Sequence, residues 1–140
     1  LYDINLRQRY YNKELIEESF YLANVLKANR EEFKILKGLF ELEKSDREAA
    51  HWFMEKYSLR MVVLTAGAMP STIYTREETS TLPSPEIPVV DTVGAGDAFS
   101  AGLILSLIKG KSLREAHEAA VATATFVCTQ EGAWPDYEKW

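Results

Sequence analysis

The chain has 140 residues, 46% of them hydrophobic, which supports one compact domain with its own core. Its formal net charge of −5 and its scattered basic residues exclude nucleic acid as the main partner, because such binding needs a clustered Lys/Arg face. Cys128 is the only cysteine, which excludes an internal disulfide and indicates a reducing, cytoplasmic setting. The longest apolar stretch, residues 101–108, is far short of the roughly 20 residues that a membrane-spanning helix needs.

Strand and helix signals alternate in the first half of the chain. Residues 1–5 predict a short strand, and Asn12 is placed to cap a helix that runs to about residue 22. Residues 25–28 predict a second short strand, and residues 31–39 predict a helix. The sequence Ser45-Asp46-Arg47-Glu48 is a capping box, which predicts a third helix that ends near residue 57.

The second half continues the alternation. The sequence RMVVLT, residues 60–65, is typical of a fully covered parallel strand, and residues 71–75 and the stretch before Pro88 predict further strands. Two long helices follow, the first over residues 95–109 with Gly110 as its stop, the second over residues 113–127 after a capping box. This order predicts an α/β fold with a mostly parallel sheet flanked by helices.

The stretch VVDTVGAGDAFSAGLI, residues 89–104, joins a strand-like run to a helix through small residues. A turn through Gly94, Ala95 and Gly96 leaves the first amides of the following helix unpaired, and such helix ends bind anions. Asp97 lies in the first turn, where a carboxylate could accept a proton from a hydroxyl or could simply complement the helix dipole. The spacing alone favours the second interpretation.

The segment DTVGAGDAFSAG, residues 91–102, resembles the C-terminal signature of the ribokinase-like, or PfkB, carbohydrate kinases, D-T-x-G-A-G-D-x-F, at every fixed position. The resemblance implies a ribokinase-like fold and ATP-dependent transfer of the γ-phosphoryl group to a sugar hydroxyl. It also implies that Gly94, Ala95 and Gly96 form the anion hole and that Asp97 is the catalytic base. Fructose is the expected acceptor, as in fructokinase-type members.

Two other segments resemble the nucleotide-binding parts of this family. TAG, residues 65–67, resembles its T-x-G, which implies that Thr65 and Gly67 contact the nucleotide, although Pro70 stands where the family has a further glycine. QEGAWP, residues 130–135, resembles a turn near the adenine and implicates Gly132. Val121 aligns with an asparagine of many relatives, so the adenine contacts stay open.

Candidate cation ligands also follow from the resemblance. Asn29 and Glu32 fit the family's N-x-x-E motif, which implies Mg²⁺ bound mainly through water, and the same pair fits a helix capping box. Both interpretations can hold together. Asp91 matches an aspartate that binds K⁺ in some members, and it also suits a turn before the anion hole.

The segment DINLRQ, residues 3–8, resembles the D-x-N-x-R strand of fructokinase-type and ketodeoxygluconate-kinase-type members. It implies that Arg7 faces the substrate or the transferred phosphate, whose oxygens suit a guanidinium. The alternative is a surface residue just past a strand.

The resemblance covers nearly the whole chain but only the C-terminal half of the family's usual domain. We therefore expect residues 1–140 to be the nucleotide-binding and catalytic part of a single domain, without a second one. The first half of the sheet, the Gly-Gly region that holds the sugar and a small β lid would be absent, and the implied homodimer forms through that lid. Three alternatives remain open: a 2-keto-3-deoxygluconate kinase, a nucleoside kinase, and a non-catalytic nucleotide-binding member.

Overall fold

The computed structural model describes residues 1–6 and 11–132. The chain divides into two compact units, one from Leu1 to Thr81 and one that begins at Leu82, called unit 1 and unit 2 below. The sequence-based expectation of a single domain stays a prediction. Among the described residues, none of the helices has the length and apolar character needed to cross a membrane.

A five-stranded sheet with the strand order β1-β2-β3-β4-β5 forms the centre of unit 1. The strands are β1 (Tyr2–Asp3), β2 (Val25–Asn29), β3 (Met61–Thr65), β4 (Ser71–Thr75) and β5 (Thr79–Leu82). The helices are α1 (Lys13–Leu22), α2 (Arg30–Leu39) and α3 (Asp46–Tyr57). The α/β class is confirmed.

The strand directions refine the sequence-based expectation. β1, β2 and β3 are parallel, whereas β4 runs antiparallel to β3, so the sheet is mixed. The strand expected just before Pro88 ends earlier, at Leu82, because Pro83 and Pro85 follow and proline has no amide to donate to a ladder. The strand expected over residues 1–5 is confined to Tyr2 and Asp3.

Aromatic side chains dominate the core of unit 1. Phe20, Phe33 and Phe53 are fully buried, and each contributes roughly 1.5–3 kcal/mol through burial. The ring of Phe53 lies with its centroid 5.4 Å from that of Phe20 and 5.2 Å from that of Phe40. Because α2 and α3 contact the sheet, this core fixes the carboxyl ends of β2 and β3, where several candidate residues lie.

Unit 2 is built on two helices, α4 (Ala95–Ile108) and α5 (Leu113–Cys128), which pack against each other. Gly102 allows their close approach, because a Cβ at this position would lie 2.7 Å from Thr123 Oγ1 and 3.0 Å from Ala119 O. His117 is buried beside Phe99, and burial lowers its pKa to about 4. The imidazole is therefore neutral near pH 7 and acts as part of the core.

The helix starts and stops confirm the local sequence signals. The Asn12 side chain accepts the Leu15 amide at 2.7 Å, and reciprocal capping boxes form at Ser45 and at Ser112. Gly110 has φ +74°, a left-handed conformation that suits the chain reversal between α4 and α5.

Candidate active site

The glycine turn of unit 2 leads directly into α4. Gly94 is the N-cap of this helix with φ +81°, a conformation that residues with a Cβ adopt only with strain. The Ala95 amide donates to Thr92 O at 3.2 Å, and the Ala98 amide donates to Gly94 O at 2.9 Å. The turn is therefore closed by its own backbone, and glycine is required at its left-handed position.

Two amides and one carboxylate remain available at this helix end. Within the described part of the chain, the amides of Gly96 and Asp97 have no hydrogen-bond partner, and the Asp97 carboxylate has none either. Gly96 and Asp97 are exposed. Because unpaired amides and the helix dipole both favour negative charge, this end of α4 can receive an anion next to a free carboxylate.

Asp91 ties the glycine turn to the end of α5. Its carboxylate accepts the Val93 amide at 2.9 Å through Oδ1 and the Gly132 amide at 3.2 Å through Oδ2. The amides of Val90 and Asp91 both donate to Cys128 O, at 2.8 and 3.3 Å. Asp91 thus has the turn-forming role that was expected. Gly132, which has φ +75°, donates its amide directly to the Asp91 carboxylate.

Cys128 itself has no reactive character. Burial, together with the nearby Asp91 charge, raises the pKa of its thiol, so the thiol stays protonated near pH 7. Cys128 contributes to the site through its backbone carbonyl.

In unit 1, the carboxyl ends of β2 and β3 lie side by side, with Asn29 and Thr65 as register partners. The Asn29 side chain accepts the Glu32 amide at 2.8 Å, and the Glu32 carboxylate accepts the Asn29 amide at 2.8 Å. The expected capping box of α2 is therefore confirmed. The fold brings Asn29, Glu32 and Thr65 together at one edge of the sheet.

Glu32 makes a further contact that the sequence did not reveal. Its second carboxylate oxygen accepts the Leu6 amide at 3.2 Å, which joins the start of α2 to the segment after β1. Each oxygen keeps a further lone pair, which can accept a hydrogen bond from a water in the shell of Mg²⁺. Among residues 1–6 and 11–132, no three His, Cys, Asp or Glu side chains cluster as a metal site of their own.

The loop after β3 carries the other proposed nucleotide residues. Gly67 is exposed with φ +57°, which explains why a glycine stands there. The Met69 amide donates to Ala66 O at 3.0 Å, and Arg30 donates to the Pro70 carbonyl at 3.4 Å. Since Pro70 has no amide, the loop cannot offer a ligand a donor at that position.

A buried ion pair between Lys27 and Asp3 also escaped the sequence reasoning. Lys27 lies within β2, its side chain is only 5% exposed, and its ammonium contacts the Asp3 carboxylate of β1. The signal was a lysine inside the otherwise apolar run VLKAN. Pairing Asp3 with Lys27 required the β1–β2 register.

A groove runs along α5 in unit 2, with a volume of about 560 Å³. Leu82, Pro83 and Pro85 line one side, and Val121, Ala122 and Phe126 line the other. The lining also includes Thr129, the residue after Cys128. The Cys128 carbonyl accepts the amides of Val90 and Asp91, in the segment that precedes Gly94. The groove is therefore a mainly apolar surface of unit 2 beside the end of α5.

Arg7 lies outside the described residues, so its role stays a prediction. The structure brings together Gly94 to Asp97, Asp91 and Gly132 in unit 2, and Asn29, Glu32 and Thr65 in unit 1.

Comparison with known proteins gives one family match, to pfkB family carbohydrate kinases over residues 2–140. The aminoimidazole riboside kinase of Salmonella typhimurium is 32% identical over 148 aligned residues, which cover 95% of this chain and 43% of that protein.

Solved structures agree with this match. The Methanocaldococcus jannaschii nucleoside kinase, a member of the ribokinase family, superimposes with a TM-score of 0.80 at 28% identity, covering 98% of this chain and 44% of that one. A double-mutant Vibrio cholerae fructokinase with fructose, ADP and potassium ion bound superimposes with a TM-score of 0.75 at 25% identity. This alignment covers 94% of this chain and 44% of the fructokinase chain. The chain spans less than half the length of these proteins.

Proposed function

Because the chain belongs to the pfkB family of carbohydrate kinases, we propose that it transfers the γ-phosphoryl group of ATP to a sugar hydroxyl, with fructose as the first candidate acceptor. The observation that carries the proposal is the end of α4. There the exposed Asp97 carboxylate and the amides of Gly96 and Asp97 have no hydrogen-bond partner among the described residues.

Asp97 is the proposed base. It takes the proton of the acceptor hydroxyl, whose oxygen forms a bond to the γ-phosphorus while the bond from that phosphorus to the bridging oxygen breaks and ADP leaves. The amides of Gly96 and Asp97 receive the charge that develops on the phosphoryl oxygens. Gly94 and Ala95 shape the turn that keeps these amides free.

Unit 2 carries the proposed base site of the nucleotide. We assign its base to the apolar groove along α5, whose lining includes Thr129, the residue after Cys128. Thr65 and Gly67 would contact the nucleotide from the loop after β3, and Gly132 would lie near it as the partner of Asp91.

Two cations fit the proposal. Bound Mg²⁺ would neutralise phosphate charge, and Asn29 and Glu32 would hold it through water, as their remaining lone pairs allow. K⁺ near Asp91 is supported by the potassium ion in the Vibrio cholerae fructokinase structure. Arg7 is proposed as a contact to the acceptor or the transferred phosphate.

A nucleoside is the second candidate acceptor. The support is that the aminoimidazole riboside kinase and the archaeal nucleoside kinase align with nearly the whole chain. ADP release by the full-length protein with MgATP and a panel of fructose, 2-keto-3-deoxygluconate and nucleosides separates these acceptors. If no acceptor supports ADP release while ATP still binds, the protein is a non-catalytic nucleotide-binding member.

The catalytic assignment is tested by Asp97→Asn in the full-length protein. Loss of a positioned base should lower kcat by at least about 10²-fold, while nucleotide affinity and melting temperature change little. Glu14→Gln is a matched control, because Glu14 is also an exposed acid in the first turn of a helix. A folded Asp97→Asn protein with near-normal kcat would reduce Asp97 to a helix-dipole partner.

A further inference from the structure

Arg30 links the start of α2 to the loop between β3 and β4. It is the first residue of α2 and directly follows Asn29, the register partner of Thr65 at the end of β3. Its guanidinium donates through Nη2 to the Pro70 carbonyl at 3.4 Å. The Arg30 side chain therefore reaches from the end of β2 to the loop that follows β3, and this loop carries Gly67, a proposed nucleotide contact.

The loop itself is an exposed stretch of backbone. Gly67, Ala68 and Met69 are all exposed, and the Met69 amide closes the loop from within by donating to Ala66 O at 3.0 Å. Pro70 has no amide, and its carbonyl is the group that Arg30 contacts. Because exposed backbone with few buried contacts opens readily, a side chain that holds the far end of the loop influences its conformation.

Asp46 orients the Arg30 guanidinium. Its Oδ2 accepts from Arg30 Nη1 at 3.5 Å, and its Oδ1 accepts the Lys37 ammonium at 2.6 Å. Asp46 is the first residue of α3, and the capping box at Ser45 fixes the start of that helix. Because a guanidinium is a planar fork, a hold on one arm at Asp46 directs the other arm. Arg30 thus connects the starts of α2 and α3 to Pro70.

We infer that Arg30 is a positioning residue, which holds the loop after β3 in the conformation that contacts the nucleotide, and that Asp46 orients it. This inference rests on the proposed function, because it takes Thr65 and Gly67 as nucleotide contacts. Both bonds lie at the surface, so loss of Arg30 should weaken MgATP binding only about three- to tenfold. The value of kcat at saturating MgATP should change little, because Asp97 and its neighbouring amides are unaltered.

Equilibrium binding of MgATP to the full-length protein tests the inference, with Arg30→Met as the variant. Arg47→Met is the matched control, because Arg47 is an exposed arginine of α3 and its loss changes the net charge equally. We expect the Kd to rise about three- to tenfold in Arg30→Met and less than about twofold in Arg47→Met. An unchanged Kd in Arg30→Met, or equal increases in both variants, overturns the inference and leaves the proposed function intact. Absence of MgATP binding to the unaltered protein overturns both.

Two further measurements separate positioning from a direct contact of Arg30 with the nucleotide. Without nucleotide, hydrogen exchange at the Met69 amide should be at least about threefold faster in Arg30→Met, while exchange within β3 stays unchanged. Asp46→Asn, which weakens the hold on the guanidinium, should raise the Kd for MgATP by a smaller factor than Arg30→Met. Unchanged Met69 exchange, or an unchanged or lower Kd in Asp46→Asn, would mean that Arg30 does not act through the loop and overturns the inference.

Discussion

Unit 1 and unit 2 use their candidate polar residues in opposite ways. In unit 1, Asn29 and Glu32 are bonded into the fold, where they start α2 and fasten the segment after β1. In unit 2, the Asp97 carboxylate is exposed and makes no hydrogen bond within the described chain, and the amides of Gly96 and Asp97 are equally free. The polar residues of unit 1 are thus explained by the hydrogen bonds that they make within the fold, whereas the Asp97 carboxylate of unit 2 makes none among the described residues.

This contrast decides how far each motif supports a function. A capping box stabilises a helix whether or not a ligand binds, so Asn29 and Glu32 need no catalytic explanation. An exposed acid at a helix start stabilises the fold by only about 0.3–1 kcal/mol. The glycine turn with its free amides is therefore the stronger argument for chemistry, and variants in the two units should differ in what they damage.

Breaking the Lys27–Asp3 pair should have the largest effect on stability. Lys27→Met removes the ammonium from a side chain that is 5% exposed and leaves the Asp3 carboxylate, 22% exposed, without its partner. We expect the free energy of unfolding to fall by about 3 kcal/mol in urea titration. The double variant Lys27→Met/Asp3→Leu should recover much of this loss, because no unpaired charge remains. A double variant as unstable as the single one would show that the ion pair is not the cause.

Gly102→Ala tests the packing that places α4 and its glycine turn. The added Cβ would meet Thr123 Oγ1 and Ala119 O at 3.0 Å or less, so we expect a loss of about 1–3 kcal/mol by thermal unfolding. Gly38→Ala in α2 is the matched control, because nothing lies within 4 Å of its Cβ position. There alanine should stabilise the helix by about 0.5–1 kcal/mol. Equal effects at the two glycines would contradict close packing of α4 on α5.

Features encoded by neighbouring residues were predictable from the sequence. The caps at Asn12, Ser45 and Ser112 depend on residues within one helical turn, and the start of α4 depends on the adjacent glycine turn. Their physical causes are local, so the sequence pattern was sufficient.

Contacts between distant segments were not predictable in the same way. The Lys27–Asp3 pair needs the β1–β2 register, and the bond from Leu6 to Glu32 needs the path of the chain after β1. The antiparallel direction of β4 depends on a short connection that reverses the chain after β3. Apolar periodicity reports which segments are buried and carries no information on strand direction or on such long-range partners.

Glu32→Gln in the full-length protein should have the smallest effect on stability, and it asks whether unit 1 also contributes to the reaction. The neutral amide accepts the Asn29 and Leu6 amides less strongly, so a loss of up to about 1 kcal/mol is expected. If Glu32 also orders the water shell of Mg²⁺, the Mg²⁺ concentration for half-maximal rate should rise while the KM for the acceptor stays unchanged. Glu48→Gln is the control, because Glu48 closes the same kind of capping box at α3 and should affect only the helix start. Matching Mg²⁺ titrations for the two variants would leave Glu32 with a capping role alone, and only unit 2 with evidence for chemistry.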